Sequence, residues 1–298
     1  MSKGKVKIAI TQHTCGLSRD ENIGKAVRLI REAAAQGAKI ICTQELFATQ
    51  YFCQTVDYSK YDWAEPVPGP TTNLIQELAV ELSVVIVCCI FEYAMDGVYF
   101  TSAVVFDADG TNLGTYRKHH IPEGPQYVEK YYFTPGDSPY QVFQSQYGTF
   151  GVLICWDQWF PEPTRILALK GADFIFYPSI IGAEPDHPEL DTCQNWIDAV
   201  KAHGIHNNLY IAALNRLGIE EATDGSGCMS FYGRSFVSDP YGSILASGGS
   251  SVDEAIVCEL DFDLLNEVRA KRPFLNSRRT DSYQEILKMH IKEREEIL

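Results

Sequence analysis

Short apolar runs recur along the chain, and each is parted from the next by a helical pattern or a tight turn. VKIAITQ at 6–12, AKIICTQELF at 38–47, VVIVCCIFEYA at 84–94, ADFIFYPS at 172–179 and LYIAALNR at 209–216 read as buried strands. Val- and Ile-rich runs with little polar alternation suit strands covered on both faces, since each face must then meet apolar partners. The intervening patterns predict helices from Asp20 as N-cap to Gly37 as C-cap, over 71–82, near 161–170 and over about 191–207. FTSAVVFDADG and TNLGTYRKHH predict a hairpin across an Asp-Gly turn; QVFQSQYGTFGVLIC, SFYGRSFVSD and ILASGG add further strands. Strands alternating with helices, and several hairpins among them, predict a layered α/β fold. No repeat, low-complexity stretch or Gly/Ser linker divides it, so residues 1–298 read as one domain. From about Ser282 the stretch YQEILKMHIKEREEIL predicts a charged amphipathic helical extension, lying on its own chain or on a neighbouring subunit.

Charge narrows the function. With 25 basic against 39 acidic residues the formal charge is −14. Such a surface repels phosphate backbones and argues against nucleic-acid binding, while remaining compatible with a cationic small molecule. No apolar run approaches the roughly 20 residues of a membrane span, and MSKGKVKIAIT lacks the apolar stretch of a signal peptide. The nine cysteines show no CxxC spacing, which predicts reduced thiols in the cytoplasm. Most of them, Cys88 and Cys89 included, read as core residues.

Three reactive groups sit at strand ends. Glu45 closes IICTQ, Lys118 follows LGTYR, and Cys155 closes GVLI. A thiol attacks as its thiolate and so needs a base. A carboxylate raised toward neutrality by burial can be that base, and a cation can hold the oxyanion that forms on the attacked carbonyl. Taken singly, each residue has an ordinary structural reading: a core thiol, a helix-start carboxylate, a solvated lysine.

The segments QELF, YRKHHIPEGP and CWDQWFPEPTR together resemble the nitrilase superfamily of carbon–nitrogen hydrolases. The similarity runs from VKIAITQ to about residue 279. It implies a Glu–Lys–Cys triad in that chain order, matched here by Glu45, Lys118 and Cys155, and a second glutamate that assists proton transfer, matched by Glu129 in YVEKYYFTPGD. It further implies a four-layer α-β-β-α sandwich, homo-oligomers built from dimers, and no cofactor. On this reading the strand fixes the sulfur of Cys155, and the Trp156 backbone N–H completes an oxyanion hole with Lys118.

Within that family, relatives that hydrolyse N-carbamoyl D-amino acids carry arginines just after the cysteine to hold a carboxylate. Gln158 and Trp159 stand there instead, so that carboxylate clamp is missing; the resemblance carried by CWDQWFPE, HIPEGP and IGAEP implies instead a ureido substrate with a cationic tail. Glu184 in IIGAEPD and Glu123 in IPEGP are the candidate partners of the ammonium; Tyr51, Trp156 and Trp159 are candidate walls, with core packing as their alternative. The competing reading is a ureido compound bearing a carboxylate, held by Arg234 or Arg216. Neither His119–His120 nor His203 with His206 has neighbours at zinc-ligand spacing, so no metal site is expected. GGSS near 248 lacks the strand-to-helix setting of a nucleotide loop.

Overall fold

The computed structural model describes residues 4–184, 187 and 189–291. The chain begins β1 (Lys5–Gln12), α1 (Arg19–Ala35), β2 (Ile40–Cys42), α2 (Pro70–Leu82), β3 (Val85–Met95), β4 (Val98–Phe106) and β5 (Asn112–Arg117). A one-turn helix, α3 (Glu129–Tyr132), is followed by β6 (Val142–Ser145), β7 (Gly148–Val152), α4 (Pro161–Leu169), β8 (Phe174–Ser179) and α5 (Cys193–Asn207). Then come β9 (Tyr210–Asn215), β10 (Leu217–Glu221), β11 (Cys228–Tyr232), β12 (Phe236–Ser238), β13 (Ile244–Ser247), β14 (Glu254–Asp261) and α6 (Phe262–Lys271).

The strands form two six-stranded sheets, ordered β14-β1-β2-β3-β4-β5 and β13-β12-β9-β8-β7-β6, plus the hairpin β10-β11. Strand pleating decides what each sheet face meets. Ile8, Ile10, Val85, Val87 and Cys89 point into the core shared with Phe150, Phe174 and Phe176 of the second sheet. The residues between them, Ala9, Ile86, Cys88 and Ile90, pack with Ala26, Ile30 and Ala33 of α1 and Ile75, Leu78 and Ala79 of α2. On the far side, Leu167 of α4 and Trp196 and Val200 of α5 cover the second sheet. The architecture is therefore the four-layer α-β-β-α sandwich, and the unalternating apolar runs belong to strands buried on both faces.

Several local expectations need correcting. Helix α1 is capped by Ser18, whose side chain accepts from the Glu21 N–H, rather than by Asp20. The run AKIICTQELF is strand only over β2, and a turn carries Glu45. The strand before Cys155 ends at Val152, and the cysteine opens a 3₁₀ turn, Cys155–Trp159, with φ +46. The sulfur is thus presented on a strained elbow beyond the strand rather than at its last residue. The continuous helix expected from Ser282 is absent among the described residues. Thr280–Ser282 and Gln284–Leu287 are isolated 3₁₀ turns, with Leu287 and Met289 87% and 98% exposed. An apolar face with nothing to bury against cannot offset the cost of nucleating a helix. Residues 292–298 of that stretch lie outside the described residues.

Candidate active site

Each reactive side chain is delivered by the chain just past a strand. Glu45 lies three residues beyond β2. The Gln44 amide spans the His13 backbone there, accepting its N–H at 2.8 Å and donating to its C=O at 3.0 Å. Lys118 follows β5, and its backbone is pinned on both sides, by N–H to Thr101 O at 2.9 Å and by C=O from Gly136 N–H at 2.8 Å. Only glycine allows the second approach, since a Cβ at 136 would stand 2.2 Å from Arg117 O. Glu129 opens α3.

These elements bring Glu45, Lys118, Glu129 and Cys155 to one point. Lys118 Nζ donates to Glu45 Oε1 at 2.9 Å and to Glu129 Oε2 at 2.6 Å, with all three side chains at most 1% exposed. Burial disfavours the lysine charge, but Glu129 and Glu45 more than compensate and hold its pKa well above the usual range. Burial likewise lifts the Glu45 carboxyl; Lys118 opposes this and Glu129 reinforces it, and the result is pushed up to about 7. The Cys155 thiol, buried and facing two carboxylates, lies well above its ordinary value despite Lys118. It rests as a thiol with Sγ 3.6 Å from Ile180 O. Glu45 Oε2 is buried without a close hydrogen bond. The Cys155 sulfur neighbours the same carboxyl. A neutral thiol beside a carboxylate titrating near neutrality can act as a nucleophile with that carboxylate as its base.

Above the sulfur lies a cavity of about 330 Å³. Cys155, Trp156, Trp159 and Ile180 line it, together with Glu123, Glu184 and His187, and among the described residues no lysine or arginine does. Gly182 belongs to this wall because a side chain there would strike Ser230 O, 2.3 Å from its Cβ position. Tyr127 also lines the cavity and escaped the sequence reading. It ends a tight turn from Gly124 in which Pro125 and Gln126, the latter at φ +56, fit the central positions of a type II turn. Glu184 accepts from Thr192 Oγ1 at 3.3 Å; that oxygen must in turn accept from the Tyr232 hydroxyl at 2.6 Å.

Tyr51 lies outside the cavity lining: it is buried, and its hydroxyl donates to Glu129 Oε1 at 3.0 Å. Arg216 is fully buried against Glu220, and Arg234 is exposed and lines a separate polar cavity with Asp191 and Ser250. Neither arginine reaches the space above Cys155. Three of the histidines have other duties. His119 donates through Nε2 to Ser138 O at 2.6 Å, His120 through Nδ1 to Asp157 at 2.7 Å, and His203 through Nε2 to Gln158 O at 2.7 Å. Among the described residues no group of three or more His, Cys, Asp or Glu side chains is placed to hold a metal ion.

Asp157 is the other residue that the sequence reading passed over. It is fully buried and accepts four donors: the Tyr116 hydroxyl at 2.6 Å, the Ile154 N–H at 2.9 Å, the His120 N–H at 3.0 Å and its imidazole. Tyr116 and His120 flank Lys118, and Ile154 precedes Cys155. One carboxylate therefore binds the lysine arm to the cysteine elbow. An Asp two places after a candidate nucleophile carries no such message in sequence, because its partners lie 41 and 37 residues away.

The site can be set beside known proteins. Residues 7–270 match the family model described as carbon-nitrogen hydrolase. An N-carbamoylputrescine amidase of Oryza sativa is 42% identical, with 95% of each chain covered. A citrullinase of Francisella tularensis is 37% identical over 96% of this chain and 99% of its own. The crystal structure of a carbon-nitrogen hydrolase from Helicobacter pylori G27 superposes with a TM-score of 0.92 at 37% identity, covering 96% of this chain and all of the other. No described helix is long and apolar enough to cross a membrane. The sandwich, the carboxylate–amine–thiol cluster between its sheets and these similarities agree with one another: the chain belongs to the carbon-nitrogen hydrolase family.

Proposed function

We propose that the enzyme hydrolyses N-carbamoylputrescine to putrescine, ammonia and carbon dioxide, with Cys155 as nucleophile and Glu45, Lys118 and Glu129 as its partners. The observation that carries this reading is the charge of the cavity: a thiol at the base, apolar walls, two carboxylates and His187, with no lysine or arginine among the described lining residues. A substrate with a neutral ureido head, four methylenes and an ammonium matches that sequence of surfaces, and the similarity to plant N-carbamoylputrescine amidases supports it. Substrates that end in a carboxylate find no lysine or arginine among its described lining residues. All nine cysteines are free, which accords with action in the reducing cytoplasm.

In the first half-reaction Glu45 takes the Cys155 proton as sulfur attacks the ureido carbon. The oxyanion forms beside Lys118, whose ammonium has one N–H beyond those given to Glu45 and Glu129; the Trp156 backbone N–H is its second donor. Collapse expels ammonia, protonated by Glu45, and leaves a thiol-linked N-alkylcarbamoyl group. Water activated by Glu45, with Glu129 holding Lys118 in place, then releases the carbamate, which decomposes to carbon dioxide and putrescine.

The test is ammonia release from N-carbamoylputrescine, citrulline and N-carbamoyl-β-alanine, for wild type and Cys155→Ser. Turnover of the cationic ureide alone, lost in the variant, supports the reading. Preference for either carboxylate-bearing substrate would overturn the substrate assignment while leaving the nucleophile standing.

A further inference from the structure

Arg216 and Glu220 form a buried ion pair that no step above uses, and neither lines the cavity over Cys155. Their side chains are 0% and 2% exposed. Withdrawing two charges from water is costly, and packed apolar side chains of similar volume often stabilise a core as well. What the pair does supply is directed hydrogen bonds.

Those bonds lead to both active-site glutamates. Arg216 Nη2 donates to Glu45 O at 3.1 Å and to Leu46 O at 2.8 Å, while Nη1 donates to Glu220 Oε1 at 3.0 Å. Glu220 Oε2 accepts the Tyr51 N–H at 2.6 Å, and the Tyr51 hydroxyl donates to Glu129 Oε1 at 3.0 Å. We propose that the Arg216–Glu220 pair is a positioning element that fixes Glu45 and Glu129 against Lys118, on the reading of these residues given above.

The backbone here needs such support. Between β2 and the 3₁₀ turn Phe52–Gln54 it has no strand or helix to hold it, and Leu46 sits at φ +45, a left-handed conformation unfavourable to a side chain with a Cβ. The planar guanidinium serves Glu220 and two carbonyls at once, which a lysine cannot do. Further anchors tie the same segment to β10, with Gln54 Nε2 donating to Glu220 O at 3.1 Å and Gln50 Nε2 to Glu221 O at 2.6 Å. Glu45 and Glu129 thus take their positions from one hairpin strand remote in sequence from either.

The test separates positioning from stability. Arg216→Met combined with Glu220→Leu replaces the pair by apolar volume, so the fold is kept while the directed bonds are lost. Thermal melting, kcat and KM are measured, together with iodoacetamide alkylation of Cys155 against pH, read on the peptide that contains it. The expected result is a folded protein with kcat lowered about 100-fold, KM within about threefold of wild type, and a displaced alkylation profile. A folded double variant with kcat within about threefold of wild type and an unchanged profile would overturn the inference. Should the double variant fail to fold, Glu220→Gln, which keeps shape and removes the charge, is read against the same outcomes. A wild-type Cys155 that resists alkylation, with Cys155→Ser still active, would overturn the nucleophile reading and this inference with it.

Discussion

Tyr116 donates its hydroxyl to Asp157 Oδ2 at 2.6 Å, a bond that crosses from the strand leading to Lys118 to the turn opened by Cys155. The same carboxylate caps the Ile154 N–H at 2.9 Å and so holds the elbow in which Cys155 takes φ +46. Asp157→Asn offers an N–H₂ where two donors already point. The expected outcome is a loss of about 1–3 kcal/mol in urea unfolding, from buried donors left without an acceptor. A fall in kcat of about 100-fold should accompany it, as the lysine and the sulfur drift apart. Wild-type kcat in a folded variant would show that the clamp has no part in catalysis.

Cys155→Ala should abolish turnover and leave the melting temperature close to wild type. The side chain is small, and its one hydrogen bond, to Ile180 O, is a long sulfur contact of 3.6 Å. Turnover above about 1% of wild type would identify another nucleophile, since loss of a covalent nucleophile costs several orders of magnitude.

What could be read without coordinates was what repeats or what clusters in sequence. Apolar runs mark most strands of the two sheets, and the motifs around Glu45, Lys118, Glu129 and Cys155 name groups that do converge. The last strand of the first sheet was not seen. β14 pairs antiparallel with β1 although it stands near the other end of the chain, and only the alternation of Ile256, Cys258 and Leu260 could have shown it. The roles of Asp157, Arg216 and Glu220 are illegible in sequence for a different reason. A buried charge makes sense only with its partners, and Arg216 reaches carbonyls 171 and 170 residues away. Aromaticity makes Tyr51 a candidate wall or core residue; the structure packs it in the core and uses its hydroxyl on Glu129.

The Glu45 carboxyl, pushed up to about 7 by burial, sets two pH dependences of opposite consequence. As the proposed base it must be ionised, so kcat/KM should fall below an acid limb near pH 7, and Glu45→Gln should be inactive. For stability the sign reverses. The folded protein binds a proton here that the unfolded chain, near 4.5, has released. Stability contributed by this group is therefore present at pH 4.5 and lost as pH rises through 7. Glu45→Gln mimics the protonated acid, so its stability relative to wild type should rise between those values. Parallel unfolding curves for the two proteins across that window would contradict the origin assigned to the acid limb.

His13 works in the other direction. Buried, with Nδ1–H donating to Thr14 O at 3.0 Å and Nε2 without a partner, it is lowered to about 4 chiefly by desolvation. A depressed histidine contributes stability that is full above its unfolded value, near 6.5, and is lost as pH falls toward 4. His13→Gln keeps a neutral amide in place of the ring. Its stability deficit against wild type should shrink as pH falls from 6.5 to 4, measured by urea unfolding, and a deficit constant across that range would remove His13 from the acid response.

Glu184 and Glu123 face the same cavity but are held differently. Glu184 accepts from Thr192 Oγ1, itself fixed by the Tyr232 hydroxyl, so its carboxylate is oriented before a substrate arrives. Glu123 has no hydrogen-bond partner among the described residues. An oriented carboxylate offers an ammonium a charge-assisted bond without first ordering a side chain. Glu184→Gln should therefore raise KM for the cationic ureide about tenfold, close to 1.4 kcal/mol, with kcat nearly unchanged. Glu123→Gln should raise it by about threefold at most, an effect that added salt erases because an unheld carboxylate acts mainly through its screened field. Reversal of that order, with the larger KM change in Glu123→Gln at high salt, would place the amine at the mouth formed by IPEGP instead.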